Sequence, residues 1–259
     1  MSGITTLGDD VFVVYEEDAY EWWEEEKKVE VYDAVSCTLQ RFITVHIDRA
    51  DGLAVCAHYK CLYVPAGYSS SIYRVELTGS NAVMKWSVAK FPAGLSVNRA
   101  HNVVVACHHV HKLQEYTTHG SLVREICLQA GETSPWHAVQ LSTGDYVVSH
   151  QGSPGVAIVG VDGQVRRSYG QSQTSDVGQL KFPSSLAVTK NDDILVADEG
   201  KNRILSMNSS LSSIRELTLP VDGGIQQPWG LCLDESRGRL YVGEYGGSYR
   251  VLVFDNVKL

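Results

Sequence analysis

The feature that most constrains this chain is a segment of apolar runs and polar turns that recurs along its whole length. The clearest copy is FPSSLAVTKNDDILVADEGKNRILSMN at 182–208, in which a turn at 190–192 and a loop at 198–202 separate three apolar runs. Short apolar runs bounded by turn residues indicate β-strands and not helices. One such unit cannot bury its own apolar faces, so we expect neighbouring copies to pack on one another.

Copies of this unit follow one another at a period of roughly 40 to 50 residues, which is the spacing of propeller blades. The second-strand cores VFVV, CLYV, VVVA, DYVV, DILV and RLYV give six copies. We therefore predict an all-β fold, a six-bladed β-propeller with antiparallel four-stranded blades, formed by residues 1–259 as one domain. The last copy ends after its third run, which predicts a three-stranded sixth blade closed by side-chain packing against the first.

Two segments resemble the NHL repeat, whose hallmark is a strand ending in Val-Ala-Asp followed by a Gly-Asn-Arg loop. VADEGKNRIL at 196–205 is close to this pattern, and PWGLCLD with YVGEYGGSYRVLVFD at 228–255 is similar. The resemblance extends over all six copies and implies a propeller like those at the C-termini of tripartite-motif proteins. The chain contains no RING, B-box or coiled-coil portion, so we expect no ligase activity from it.

Composition is that of an ordinary globular protein, with 44% hydrophobic and 20% charged residues. No apolar run approaches the roughly 20 residues that span a bilayer, and no signal peptide is visible. The six cysteines show no CxxC spacing, which is typical of free thiols in an intracellular protein. We expect a cytoplasmic protein without a cofactor, and the one candidate disulfide joins Cys56 and Cys61 across a hairpin turn.

Loop positions in an up-and-down blade predict a shared surface. The loops between second and third strands emerge on the same face as the connections from one blade to the next, and we call this the upper face. Exposed aromatic residues are typical of surfaces that bind proteins. The predicted partner-binding residues are Tyr15, Tyr20, Trp22, Trp23, Glu24, Tyr68, His108, His109, His111, Trp136, His150, Trp229, Tyr245 and Tyr249. For Trp136 and Trp229, as for Phe91 and Phe182, each beside a proline, packing between blades is the alternative.

The net charge of −8 is concentrated in the acidic insertion, YEEDAYEWWEEEKK at 15–28, whose seven carboxylates lie between residues 16 and 26. Its alternating carboxylates and aromatic rings leave no periodic apolar face to bury, so we expect it to bind a partner that has a basic patch. Single-stranded RNA is the competing partner, because some NHL propellers bind RNA on this face. The acidic insertion would repel phosphates, so RNA binding is favoured less.

Two features of the sequence suggest metal-dependent alternatives. His108, His109 and His111 next to Cys107 contain ligand types for zinc, but residues adjacent on one short loop rarely converge on one ion. Propeller lactonases and lyases hold a metal at the mouth of the central channel. The equivalent positions here are Gly3, Gly52, Gly94, His137, Ser185 and Gly230, with Asp51 nearby. One histidine and one aspartate do not complete such a site, so we predict a non-enzymatic recognition module. We also expect that its upper-face loops are diversified or engineered on a constant scaffold.

Overall fold

The computed structural model describes residues 3–15, 25–79, 81–129, 134–170, 178–245 and 250–257, except for the side chains of 25–27. They form six antiparallel sheets that surround a central channel. The six-bladed β-propeller is therefore confirmed. In the described part of the chain the only helical elements are two 3-10 turns, at His108–Val110 and Glu199–Lys201. No helix among these residues is long and apolar enough to cross a membrane.

The first three blades each contain four strands. Blade 1 consists of β1 (Gly3–Leu7), β2 (Asp10–Val14), β3 (Glu25–Asp33) and β4 (Leu39–Ile47). Blade 2 consists of β5 (Ala54–Cys56), β6 (Cys61–Ala66), β7 (Ser71–Glu76) and β8 (Val83–Ser87). Blade 3 consists of β9 (Pro92–Val97), β10 (Val103–Cys107), β11 (Lys112–Tyr116) and β12 (Leu122–Cys127).

The last three blades include the predicted exception. Blade 4 consists of β13 (Pro135–Gln140), β14 (Tyr146–His150), β15 (Gly155–Val159) and β16 (Val165–Tyr169). Blade 5 consists of β17 (Pro183–Val188), β18 (Ile194–Asp198), β19 (Arg203–Met207) and β20 (Ile214–Glu216). Blade 6 consists of β21 (Pro228–Asp234), β22 (Arg239–Glu244) and β23 (Val251–Asp255). The three-stranded sixth blade is confirmed.

The second strands are buried on both faces, which explains why they are continuous apolar runs. Every residue of β6, β10, β14 and β18 is buried. Clusters of these side chains join neighbouring blades, as Val147, Leu186 and Val196 do between blades 4 and 5. At the channel the first strands approach very closely. A Cβ added at Gly3 would lie 2.6 Å from the carbonyl carbon of Gly52, so the glycine is required there.

Ring closure between blades 6 and 1 depends on more than the expected packing. Ile4, Val11 and Val13 of blade 1 pack with Tyr241 of blade 6, as predicted. In addition, Arg237 donates from Nη1 to the Gly8 carbonyl at 2.8 Å and forms an ion pair with Asp9. Arg239 donates to the Ala34 carbonyl. Side-chain packing alone was therefore an incomplete prediction, because two arginines also hydrogen bond across this junction.

The structure corrects one strand boundary and answers the open question about one cysteine pair. We predicted that the loop of blade 1 continues to residue 28, but β3 begins at Glu25, and residues 25–28 pair with β4 beyond the end of β2. The remaining insertion, 16–24, lies outside the described residues. Cys56 and Cys61 face each other in register across the hairpin, yet both are free thiols.

Candidate functional site

The upper-face loops meet as the blade topology predicts. In each of blades 2 to 6, a backbone hydrogen bond joins the loop after the second strand to the connection that enters the same blade. The five bonds run from Gly67 N to Arg49 O at 2.9 Å, from His108 N to Phe91 O at 3.1 Å, from Gln151 N to Ser134 O at 3.1 Å, from Gly200 N to Lys181 O at 2.8 Å and from Tyr245 N to Gln227 O at 2.9 Å. The two kinds of loop therefore form one continuous surface.

The most extensive feature of this surface is a row of rings in contact, which we call the ring arc: Tyr68, Phe91, His108, His109, Trp136, Trp229 and Tyr245. Its centroid distances are 6.3 Å for Tyr68–Phe91, 4.7 Å for Phe91–His109, 5.0 Å for His108–His109, 5.5 Å for His108–Trp136, 5.0 Å for Trp136–Trp229 and 5.1 Å for Trp229–Tyr245. The ring arc thus connects blades 2, 3, 4 and 6.

Blade 5 contributes no ring to the ring arc, because it has a small residue at the equivalent position. Trp136 and Trp229 each follow the first proline of their blade, where blade 5 has Ser184. Ser184 is buried, and its hydroxyl donates to the Trp229 carbonyl at 3.0 Å. The tryptophans of blades 4 and 6 consequently contact each other directly beside the channel.

Exposure differs along the ring arc. Trp136 is 6% exposed and so is largely packed, whereas Tyr68 is 56% exposed and His109 is also exposed. Trp229 and Tyr245 are half-buried. The packing alternative therefore holds for Trp136, while the Tyr68 end is open to a partner. Phe182 is 48% exposed on the same face, and no ring contact joins it to another described aromatic residue.

Charged groups beneath Tyr68 hold its loop in place. The Arg49 guanidinium lies 5.9 Å from the Tyr68 ring centre and 5.5 Å from that of Phe91. The Arg49 Nε atom donates to both carboxylate oxygens of buried Asp51, at 2.8 and 2.9 Å. Asp48 accepts hydrogen bonds from the backbone N–H groups of Tyr68 and Ser69, at 3.2 and 2.6 Å. Cation–π contacts and charge-assisted bonds of this kind preorganise an exposed ring.

The histidines of blade 3 take part in ring contacts and a hydrogen bond. Burial, and next the neighbouring His109, lower the pKa of His108. His111 uses Nδ1 to accept a hydrogen bond from Ser134 N at 3.0 Å. Burial raises the pKa of the Cys107 thiol to about 12, so this thiol stays protonated. Within the described ranges, no three His, Cys, Asp or Glu side chains converge as metal ligands.

Two predicted binding residues lie elsewhere. His150 is completely buried, because it occupies the last position of β14, where β18 and β22 end in the buried acids Asp198 and Glu244. Tyr15 lies at the junction of blades 1 and 6, where it packs beside Tyr241 and is half-buried. The predicted residues Tyr20, Trp22, Trp23, Glu24 and Tyr249 lie outside the described part of the chain.

The buried acids Asp198 and Glu244 each bind an arginine and the backbone of an inter-blade connection. Each acid forms an ion pair, with Arg203 Nε 2.8 Å from Asp198 Oδ2 and Arg250 Nε 2.5 Å from Glu244 Oε2. Each acid also accepts a bond from the backbone of the preceding inter-blade connection, from Lys181 N at 2.7 Å and from Gln226 N at 2.7 Å. The acids thereby fix the upper-face connections. The sequence signal for this role is that both acids lie at the same position of the repeat, at the end of the second strand.

The central channel is nearly filled at its upper mouth. A cavity of about 40 Å³, room for about one water molecule, is lined by the residues predicted from the repeat: Gly3, Asp51, Gly52, Gly94, His137, Ser185 and Gly230. His137 Nε2 donates to the Leu95 carbonyl at 2.9 Å, and Nδ1 accepts from Leu186 N at 3.0 Å. Burial lowers the pKa of His137 to about 4. Neutral His137 therefore links blades 3, 4 and 5.

Comparisons with known proteins agree with this fold. The NHL repeat family model matches residues 180–205. A search of curated protein sequences found no significant match. The matched repeat and the six blades together support an NHL-type propeller.

Solved structures with a similar fold come from proteins with unrelated names. A protein of unknown function from Bacteroides caccae has a TM-score of 0.71 at 16% identity, covering 96% of this chain and 91% of its own. A streptogramin B lyase has a TM-score of 0.68 at 12% identity, with coverages of 98% and 82%. A chain of a nidogen/laminin complex has a TM-score of 0.71 at 17% identity, with coverages of 90% and 88%. These similarities show the fold.

Proposed function

We propose that this chain is a non-enzymatic recognition module that binds a protein or peptide through its upper face. The observation that carries this proposal is the ring arc, which joins four blades and opens to solvent at Tyr68 and His109. Large aromatic residues contribute much of the binding energy of protein interfaces while losing little conformational entropy. A row of touching rings with one open end has the composition of such an interface.

Preorganisation at the open end supports the same proposal. Tyr68 is held by Arg49 and by the bonds of its loop to Asp48. A side chain that is already ordered loses less entropy on binding, so more of its contact energy appears as affinity. The loop of blade 2 is therefore suited to be the first contact of a partner.

The acidic insertion indicates the charge of the partner. Residues 16–24 of the insertion come between β2 and β3, which is the place in the repeat that carries Tyr68 and His109 in blades 2 and 3. A partner with a basic patch would be attracted by the carboxylates at 16–26 and would associate faster at low salt. We place the protein in the cytoplasm because the facing thiols of Cys56 and Cys61 are free. The NHL repeat match supports a context like that of tripartite-motif proteins.

Catalysis like that of the similar streptogramin B lyase is the second candidate, favoured by the shared fold. Both ring nitrogens of His137 are already engaged, and the cavity at the channel mouth has a volume of only about 40 Å³. These observations favour binding over catalysis. Incubating the protein with a streptogramin B antibiotic, followed by mass spectrometry, tests this choice, and conversion of the antibiotic would refute the non-enzymatic proposal.

The binding proposal is tested by replacing the open end of the ring arc. A Tyr68→Ala/His109→Ala variant, used as bait in affinity capture, should lose the partner that the wild type retains. Phe182→Ala is the matched control, because Phe182 is exposed on the same face but lies outside the ring arc. It should retain the partner. Equal capture by all three proteins, with unchanged thermal stability, would refute the proposal.

RNA binding is distinguished by its dependence on salt. The rings of Tyr68 and Trp229 could stack on bases, but the acidic insertion opposes phosphates. Titration with a labelled single-stranded RNA should show weak binding at low salt. Tight binding that weakens steeply as salt is added would show that the partner is RNA and not a protein.

A further inference from the structure

The outer edge of blade 6 differs from that of every other blade. β23 is its last strand, and in the described part of the chain it pairs only with β22. Glu244 N donates to the Arg250 carbonyl at 3.0 Å, which sets the alternation of bonds along this pair. In an antiparallel ladder the alternate residues point their N–H and C=O groups away from the partner strand. Val251, Val253 and Asp255 therefore direct these groups to the open edge.

Two cavities flank this edge on opposite faces of the blade. The cavity towards blade 1 has a volume of about 220 Å³ and is walled mainly by valines and tyrosines, including Tyr15, Tyr32 and Tyr241. The cavity towards blade 5 has a volume of about 450 Å³ and lies between residues 215–220 and 253–257. Val253 contributes to both cavities and is 36% exposed. We call the edge and its two cavities the blade-6 groove.

We propose that the blade-6 groove binds an extended peptide of a partner protein, which adds a fourth strand to β23. Main-chain bonds to Val251, Val253 and Asp255 would provide affinity, and alternate side chains would enter the two cavities. The valine and tyrosine walls select aliphatic residues at every second position. Two carboxylates of the groove are already paired, Asp255 with Arg239 and Glu216 with Arg203, so the selectivity rests on the apolar walls.

The groove fits a single chain better than a second propeller. The neighbouring blades 1 and 5 each have a fourth strand, so β23 is recessed by one strand, or about 4.8 Å. The rim of another copy would meet those fourth strands before reaching β23. An isolated peptide strand has the width of the missing element and can pair along its full length.

The probe is a fluorescein-labelled, capped peptide of sequence Lys-Thr-Val-Thr-Val-Thr-Lys, and its matched control has N-methylated valines. In the free protein, the amide hydrogens of Val251 and Val253 should exchange faster than those of Leu252 and Phe254, as measured by NMR. The peptide should slow exchange at Val251 and Val253. The N-methylated peptide should bind about tenfold or more weakly, because it lacks the donors to the edge.

Variants of Val253 locate the binding to this edge. Val253→Pro removes an outward N–H group, which an edge strand tolerates, and should weaken peptide binding about tenfold. Val253→Thr keeps the N–H group and the shape and should bind like the wild type. If Val253→Pro does not fold, the exchange pattern and the N-methylated peptide still decide the question.

Three results would overturn the proposal. The first is no binding of the probe peptide at millimolar concentration. The second is slow exchange at Val253 in the free protein, which would show that another segment of the chain covers the edge. The third is a sedimentation coefficient that rises with protein concentration while the peptide leaves Val253 unprotected, which would assign the edge to a second copy.

Discussion

His137 offers the sharpest physical test of how the blades are held together. Its ring joins three blades only in the neutral form, because Nδ1 accepts a hydrogen bond from Leu186 N while Nε2 donates one to the Leu95 carbonyl. Burial lowers the pKa of His137 to about 4 from the usual 6.5. Protonation would replace the acceptor at Nδ1 with a donor that faces another donor. Acid should therefore weaken the propeller at this point.

The sign and magnitude follow from proton linkage. Between pH 6.5 and pH 4 the unfolded chain binds a proton at this residue that the folded protein excludes, so the free energy of unfolding falls as the pH falls. Each unit of difference between the unfolded and folded pKa corresponds to about 1.4 kcal/mol once the pH is below the unfolded pKa. The free energy of unfolding should therefore fall by about 2 kcal/mol between pH 7 and pH 5. The residue keeps a small exposed fraction at the channel, which makes this figure an upper value.

The assay is urea unfolding of the wild type and a His137→Gln variant at pH 7 and pH 5. Glutamine can donate and accept at similar positions but does not titrate in this range. Other titrating groups, including His108, are shared by both proteins, so their contributions cancel in the difference. The wild type should lose about 2 kcal/mol more than the variant on acidification. Equal losses in the two proteins would refute the reasoning about His137.

Two further predictions concern close packing and buried charge, and both are measured by urea unfolding. Gly94→Ala should lower the free energy of unfolding by about 1–3 kcal/mol, because its Cβ would lie 2.6 Å from the Trp136 carbonyl oxygen. Gly52→Ala should be nearly neutral, because the nearest atom to its Cβ would lie 3.8 Å away. Equal losses of stability would contradict the close approach at the channel. Arg203→Ala should cost about 3 kcal/mol, because it leaves a buried carboxylate unpaired. Arg250→Ala should cost less, since Arg250 is 40% exposed, and the reverse order would contradict this ranking.

The number and order of the blades could be predicted from the sequence because each blade repeats the same short-range pattern. Strands such as Ile194–Asp198 are continuous apolar runs that end at turn residues, and this signal is local. The equivalent channel positions followed from the same alignment, and they do line one cavity. The buried pair Asp198–Arg203 was also predictable, since both residues lie at fixed places in the repeat.

The composition of the upper face could not be predicted to the same degree. The contact between Trp136 and Trp229 depends on the small Ser184 in the blade between them, a relation among three distant segments. His150 was assigned to the surface because it follows an apolar run, but the buried strand includes it. The start of β3 at Glu25 was missed because charged residues that pair only with β4 carry no apolar pattern.

The open end of the ring arc is the recognition surface that we propose. Hydrogen exchange by mass spectrometry, with and without the captured partner, tests it most directly. The partner should slow exchange in the loops that contain Tyr68, His109 and Tyr245, while the hairpins that contain Tyr59 and His101 on the opposite face should not change. Slower exchange at Tyr59 and His101, with no change at Tyr68 and His109, would contradict the claim.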